Sequence, residues 1–221
     1  DSGFVTLTRL AASEITGQDG KAGIIEKYFS LSQTDTTCLK DIGLYPEEMR
    51  VGDDILCLHT LSDVEDLPGK VGTDCRFEKL STDRSDCRLS FAAPVGVLLS
   101  CNHVYNQYIF IDDHAGNLKN FEQTARNMQS LSRYSRANQV NKEWIDEYLN
   151  EAHSKGLVSV RCHCNVMAWS DDRDELKRIR NDVGSQLALM ECKPRHNTVD
   201  TPTLFWAGIP GNEADFPAEE S

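Results

Sequence analysis

Asp112, Asp113 and His114 are three consecutive residues able to bind a metal ion or carry a proton. Two carboxylates and an imidazole together suit divalent cations, and a pair of such ions activates water for metal-dependent hydrolysis of phosphoesters. Such a site needs more acids and histidines converging from elsewhere. His103 and His153 are candidates, but neither stands in a ligand spacing. The apolar run Tyr108-Ile109-Phe110-Ile111 ends in the same two acids, as a magnesium-holding Walker B strand does. That pattern carries weight only beside a phosphate loop. The nearest such loop is Gly17-Gln18-Asp19-Gly20-Lys21-Ala22. A Walker A loop needs Gly where Ile15 stands and Ser or Thr where Ala22 stands, the latter to hold magnesium. Both positions are wrong, so an ordinary hairpin turn is expected there.

The eight cysteines, Cys38, Cys57, Cys75, Cys87, Cys101, Cys162, Cys164 and Cys192, never form the C-x-x-C pair on which zinc ribbons and fingers rely. Cys162 and Cys164 flank His163 within a stretch, residues 157–169, whose apolar and polar residues alternate. Period two is a strand signal, and it turns both thiols to the core with His163 facing the other way, the wrong geometry for a shared metal. The set reads as reduced, buried cysteine. Cys192 and His196 are close in sequence, but a catalytic thiolate takes its base from a distant segment as a rule. Nucleophile elbows and H-E-x-x-H helices are absent.

The 221 residues carry 23 Lys and Arg against 35 Asp and Glu, a net charge of −12. A field of that sign repels phosphate backbones unless bases cluster locally. One stretch clusters them: Lys119, Arg126, Arg133, Arg136 and Lys142, with Glu122 as the only acid among residues 117–141. It reads as a solvated helix face or a partner-binding strip, and with Tyr134 as a stacking surface it would suit single-stranded DNA. No run approaches the roughly 18 apolar residues of a membrane span. The chain opens on Asp1 with no export signal, as an excised piece would.

Periodicity places these groups on elements. Residues 4–10, 24–31, 54–61, 95–99, 107–111, 157–169 and 203–207 read as strands. One short helix is expected near Glu47, a hairpin around 75–80 inside a surface excursion of residues 62–90, and a helix of about five turns after Gly116 and Asn117. A second helix is expected from an Asn141 cap to Gly156, and a third from Ser170 or Asp171 with Leu176, Ile179, Val183, Leu187 and Met190 as its buried stripe. The fold class is α+β: two layers, helices packed on one face of a mainly antiparallel or mixed sheet. A single domain over 1–211, or two small lobes at 1–116 and 117–211, is followed by an acidic linker, 212–221.

Two further runs, 181–191 (NDVGSQLALME) and 203–212 (TLFWAGIPGN), carry a resemblance. They are similar to TraG-type ATPases of conjugative transposons, members of the VirB/TrbE-like class of type IV secretion motors. Residues 19–31 and 105–118 resemble the same group. In that class a helix-strand-helix unit ends in a strand and an L-P-G-N-like turn, here Ile209-Pro210-Gly211-Asn212, ahead of the nucleotide-binding lobes. The resemblance implies that ATP and magnesium belong to lobes beyond Ser221 and that no catalytic, cofactor or metal residue falls on this chain. It implies a docking role at the cytoplasmic face of the inner membrane, in a hexameric parent whose partners are small membrane subunits and neighbouring protomers. The interface candidates are Arg126, Arg133, Arg136, Pro210, Gly211 and Asn212.

Overall fold

A computed structural model describes residues 8–36, 40–69, 71–72, 74–111, 113–132 and 134–217. Cys38, Asp112, Arg133 and most of the strand expected at residues 4–10 lie outside them, and Thr8 to Leu10 form no strand. The chain divides into two units, Asp1–Gln107 with Cys164–Ser221, and Tyr108–His163. The fold is α+β, a mostly antiparallel sheet packed against helices.

In the first unit, strands β1 (Ile42–Tyr45) and β2 (Glu48–Val51) form a hairpin that continues into β3 (Asp54–Leu61). With β6 (His103–Phe110), β7 (Arg161–Ser170) and the short β8 (Arg195–Asn197), they form one sheet in the order β1-β2-β3-β7-β6, with β8 also paired to β3. The β1–β2, β2–β3, β3–β7 and β3–β8 pairings are antiparallel. A separate two-stranded ribbon pairs β4 (Cys75–Arg76) with β5 (Arg88–Leu89) inside the excursion, so the partner strand lies beyond the hairpin expected around 75–80, where Glu78–Leu80 form a 3₁₀ turn.

Helix α5 (Arg173–Leu189) follows β7 after the Asp172 cap, whose carboxylate accepts from the Asp174 amide at 2.8 Å. Leu176, Ile179, Val183 and Leu187 are all buried, as their spacing requires, and the stripe contacts β3. Leu58, Leu61, Val166, Met167, Val183, Leu187 and Phe205 are among the most fully buried side chains of the core. Burying each stabilises the fold by roughly 1.5–3 kcal/mol.

Several expected elements differ. Residues 24–31 contain helix α2 (Ile24–Ser30), because Glu26 reaches back to the Gly23 amide at 3.2 Å and Tyr28 and Phe29 pack on Phe205 as a helical pair. It is preceded by a one-turn helix, α1 (Ala12–Thr16). Near Glu47 there is no helix: Pro46-Glu47 is the turn between β1 and β2. Residues 94–98 form a π-helical turn, where Pro94 has no amide to give a ladder and is buried with Val95. Residues 203–207 belong to helix α6 (Thr201–Ala207): Asn197 accepts from the Val199 and Asp200 amides in a turn that feeds it, and Pro202 sits in its first turn, where a missing amide costs nothing. Cys162, expected in the core, is only partly buried, whereas His163, expected to face the other way, is 4% exposed. It is buried along with Cys164 to Trp169, because β7 is a central strand covered on both faces.

Candidate docking surface

The second unit is built on two helices, α3 (His114–Leu131) and α4 (Arg136–Lys155). Asp113 starts α3 by accepting from the Ala115 and Gly116 amides at 3.3 and 3.0 Å. The helix therefore begins at His114, earlier than the sequence pattern indicates. Helix α4 starts after Ser135 instead of at Asn141, and it stops where expected, at Gly156 in a left-handed conformation (φ 65°). The pair is antiparallel: the Phe121 and Tyr148 rings lie 5.1 Å apart and Glu122 meets His153 at 3.7 Å, whereas Met128 shares a groove with Asn141 and Trp144.

Each of these helices buries only one residue among those described, Ala125 in α3 and Ala152 in α4. The stripe expected to be core is thus half covered. Phe121 and Met128 are partly buried, Leu131 is exposed, and Trp144 on α4 is 65% exposed. Between the helices runs a groove of about 300 Å³ lined by Phe121, Met128, Asn141, Trp144, Ile145 and Tyr148, nearly all apolar. On α4, outside the groove lining, Glu143, Glu147 and Glu151 are exposed at four-residue steps, which puts them on one row; Lys155 holds Glu151 at 2.8 Å and Gln139 donates to Glu143 at 3.2 Å. An apolar groove on a helix that also carries an acidic row is chemistry suited to an amphipathic helix with basic flanks.

The interface candidates fall in three places. Arg126 is exposed on α3 and its nearest acid is Glu122 at 3.8 Å; Arg136 opens α4 beside Tyr134; Arg133 lies outside the described residues. Lys142 is engaged by Asp146 at 2.5 Å, so two members of the basic strip stand beside acids of their own helix, which weakens the case for DNA contact. Pro210, Gly211 and Asn212 form the turn after α6, where Asn212 donates to the Trp206 carbonyl at 3.1 Å. The acidic stretch beyond is anchored: residues 213–215 make a 3₁₀ turn, Asp215 accepts from the Trp206 indole at 2.8 Å, and Phe216 is buried.

Of the metal candidates, Asp113 is committed to capping α3, His114 keeps a buried Nδ1 without a hydrogen-bond partner, and Asp112 lies outside the described residues. Among the described residues no three His, Cys, Asp or Glu side chains are grouped to hold a metal ion. Residues 17–22 are a tight turn, with Gln18 bridged to Lys21 across Asp19 and Gly20, both at positive φ. No described helix is long and apolar enough to cross a membrane.

The pattern that marked Phe121 and Met128 as core gave no warning of their exposure. The legible signal was Trp144 and Tyr148, four residues apart on a helix rich in charge. No family model matches the chain, and no curated protein matches it in sequence.

Proposed function

We propose that this chain is a non-catalytic, amino-terminal docking and assembly module of a conjugative-transfer (type IV secretion) ATPase of the TraG type. The observation that carries the docking role is the α3–α4 groove: apolar, open, and on a helix that also carries the exposed Glu143, Glu147 and Glu151 row. The ATPase assignment rests on the resemblance of residues 181–191 and 203–212. The occupant of the groove is an amphipathic helix with basic flanks, supplied by a small membrane subunit of the secretion channel. A second copy of this chain, itself at −12, is a poorer match for the acidic row of α4. Neighbouring protomers of the hexameric parent meet elsewhere, with the turn at Pro210, Gly211 and Asn212 as one candidate. The work is done at the cytoplasmic face of the inner membrane. Nucleotide and magnesium belong to lobes that follow in the parent protein.

Two measurements test this reading. A basic amphipathic helical peptide titrated into the chain is expected to quench or shift Trp144 fluorescence, with at least tenfold weaker binding in Trp144→Ala; unchanged binding in that variant rejects the groove. Calorimetry with magnesium and ATP is expected to give no heat of binding, and micromolar affinity would reject the non-catalytic assignment.

A further inference from the structure

Strands β2 and β8 share one edge of β3. The first pairs through Val51↔Asp54 and Arg50↔Ile55, and the second takes over at Leu58↔Asn197, His59↔His196 and Thr60↔Arg195. Between them Leu56 and Cys57 pair with β7 alone. A notch of about 70 Å³ opens at that gap, lined among others by Glu48, Arg173, Arg180, His196, Thr198 and Thr201. That is several times the roughly 10–15 Å³ of accessible space that holds one water molecule, enough for a small group such as a carboxylate or phosphate.

Two cations, Arg173 and Arg180, and two carboxylates, Glu47 and Glu48, line the notch, but only Arg173 and Glu48 meet as an ion pair. Burial raises the Glu48 carboxyl, but Arg50 and Arg173 outweigh it and hold it below the usual carboxylate range. Arg173 meets Glu48 at 3.0 Å, so this cation is satisfied. Arg180 makes no hydrogen bond or ion pair among the described residues. Its charge is felt inward by three groups: it lowers the affinity of His59 and His196 for a proton, after burial, and partly offsets the burial that raises the Cys57 thiol. Thr201 is already committed, donating to the Asn197 carbonyl at 3.2 Å. Glu47, on the β1–β2 turn, is the remaining charged group of the lining.

We propose that this notch binds one small oxyanion, a phosphate or carboxylate group, with the Arg180 guanidinium as its main partner and His196 and Thr198 as further hydrogen-bond donors. A guanidinium is weakly hydrated and presents a planar fork of donors that matches either group. The site lies in the first unit and is independent of the docking role proposed for α3 and α4.

The test is proton NMR of the His196 ring, titrated with pH in inorganic phosphate, in acetate, and in chloride at equal ionic strength. A bound anion beside Arg180 offsets its field, so the His196 midpoint is expected to rise in phosphate or acetate relative to chloride. Response to phosphate alone identifies a tetrahedral anion and response to acetate a carboxylate, and either supports the site. In Arg180→Ala the anion is expected to bind at least tenfold more weakly, with part of the affinity kept in Arg180→Lys. Arg180 is exposed, so both variants are expected to fold. No rise over chloride, or a rise that survives in Arg180→Ala, overturns the proposal.

Discussion

His59 sits in the middle of β3, 5% exposed, its Nδ1 without a hydrogen-bond partner and its ring edge-on to His196 at a centroid distance of 5.7 Å. Burial, then His196 and Arg180, push its pKa down to about 4. Unfolded, the same ring titrates near 6.5, so between the two values the unfolded chain binds more protons, and stability rises with pH and is lost as pH falls from 6.5 towards 4. The contribution is fully present above pH 6.5 and amounts to a loss of about 2 kcal/mol by pH 5. Urea unfolding is expected to give a steeper decline from pH 7 to 5 in the native chain than in His59→Gln; parallel slopes would refute the assignment. Asp66 is the opposite case, a buried carboxyl group with partners in place: it accepts from the Ser62 and Asp63 amides and from Arg195 Nε at 3.1 Å. Nothing in the sequence around it separates it from the exposed acids of the same loop, because its partner Arg195 is 129 residues away.

At the scale of elements, α5, the end of α4 and strands β3 and β7 were legible because each signal there is local: a cap, a glycine stop, or a period repeated over several turns. Elements α2 and α6 were not. Each has only seven residues, and over that length the runs Ile24-Ile25 and Leu204-Phe205 look equally like buried strand. What decides them is contact between the two, since Tyr28 stacks on Phe205 at 5.0 Å and donates to its carbonyl at 2.9 Å. The docking groove was hidden for a related reason: period gives the apolar face of a helix but not whether anything covers it. Gly208 closes the α2–α6 contact. A Cβ there would lie 2.3 Å from the Tyr28 hydroxyl and 3.2 Å from the Leu204 carbonyl. Gly208→Ala is therefore expected to cost about 1–3 kcal/mol in chemical denaturation. Tyr28→Phe, which removes the obstructing oxygen, should recover part of that loss, and strict additivity of the two changes would rule out the clash.

For the molecule as a whole, cover is distributed unevenly. Residues 55–61 and 163–169 are buried without a break, whereas α3 and α4 bury one alanine each. Amide exchange tracks such differences in local stability. The slowest amides are expected in β3 and β7, with those of α3 and α4 exchanging at least tenfold faster; equal protection would show that the two units unfold together. The second unit also leaves the sheet from β6 and returns through β7, and these two strands are neighbours in the strand order. Its 56 residues are thus an excursion that starts and finishes side by side, and loop-closure entropy grows only with the logarithm of loop length. Lengthening, shortening or exchanging the helical pair leaves the strand order of the sheet untouched, so the proposed docking surface is free to diverge while the scaffold stays the same.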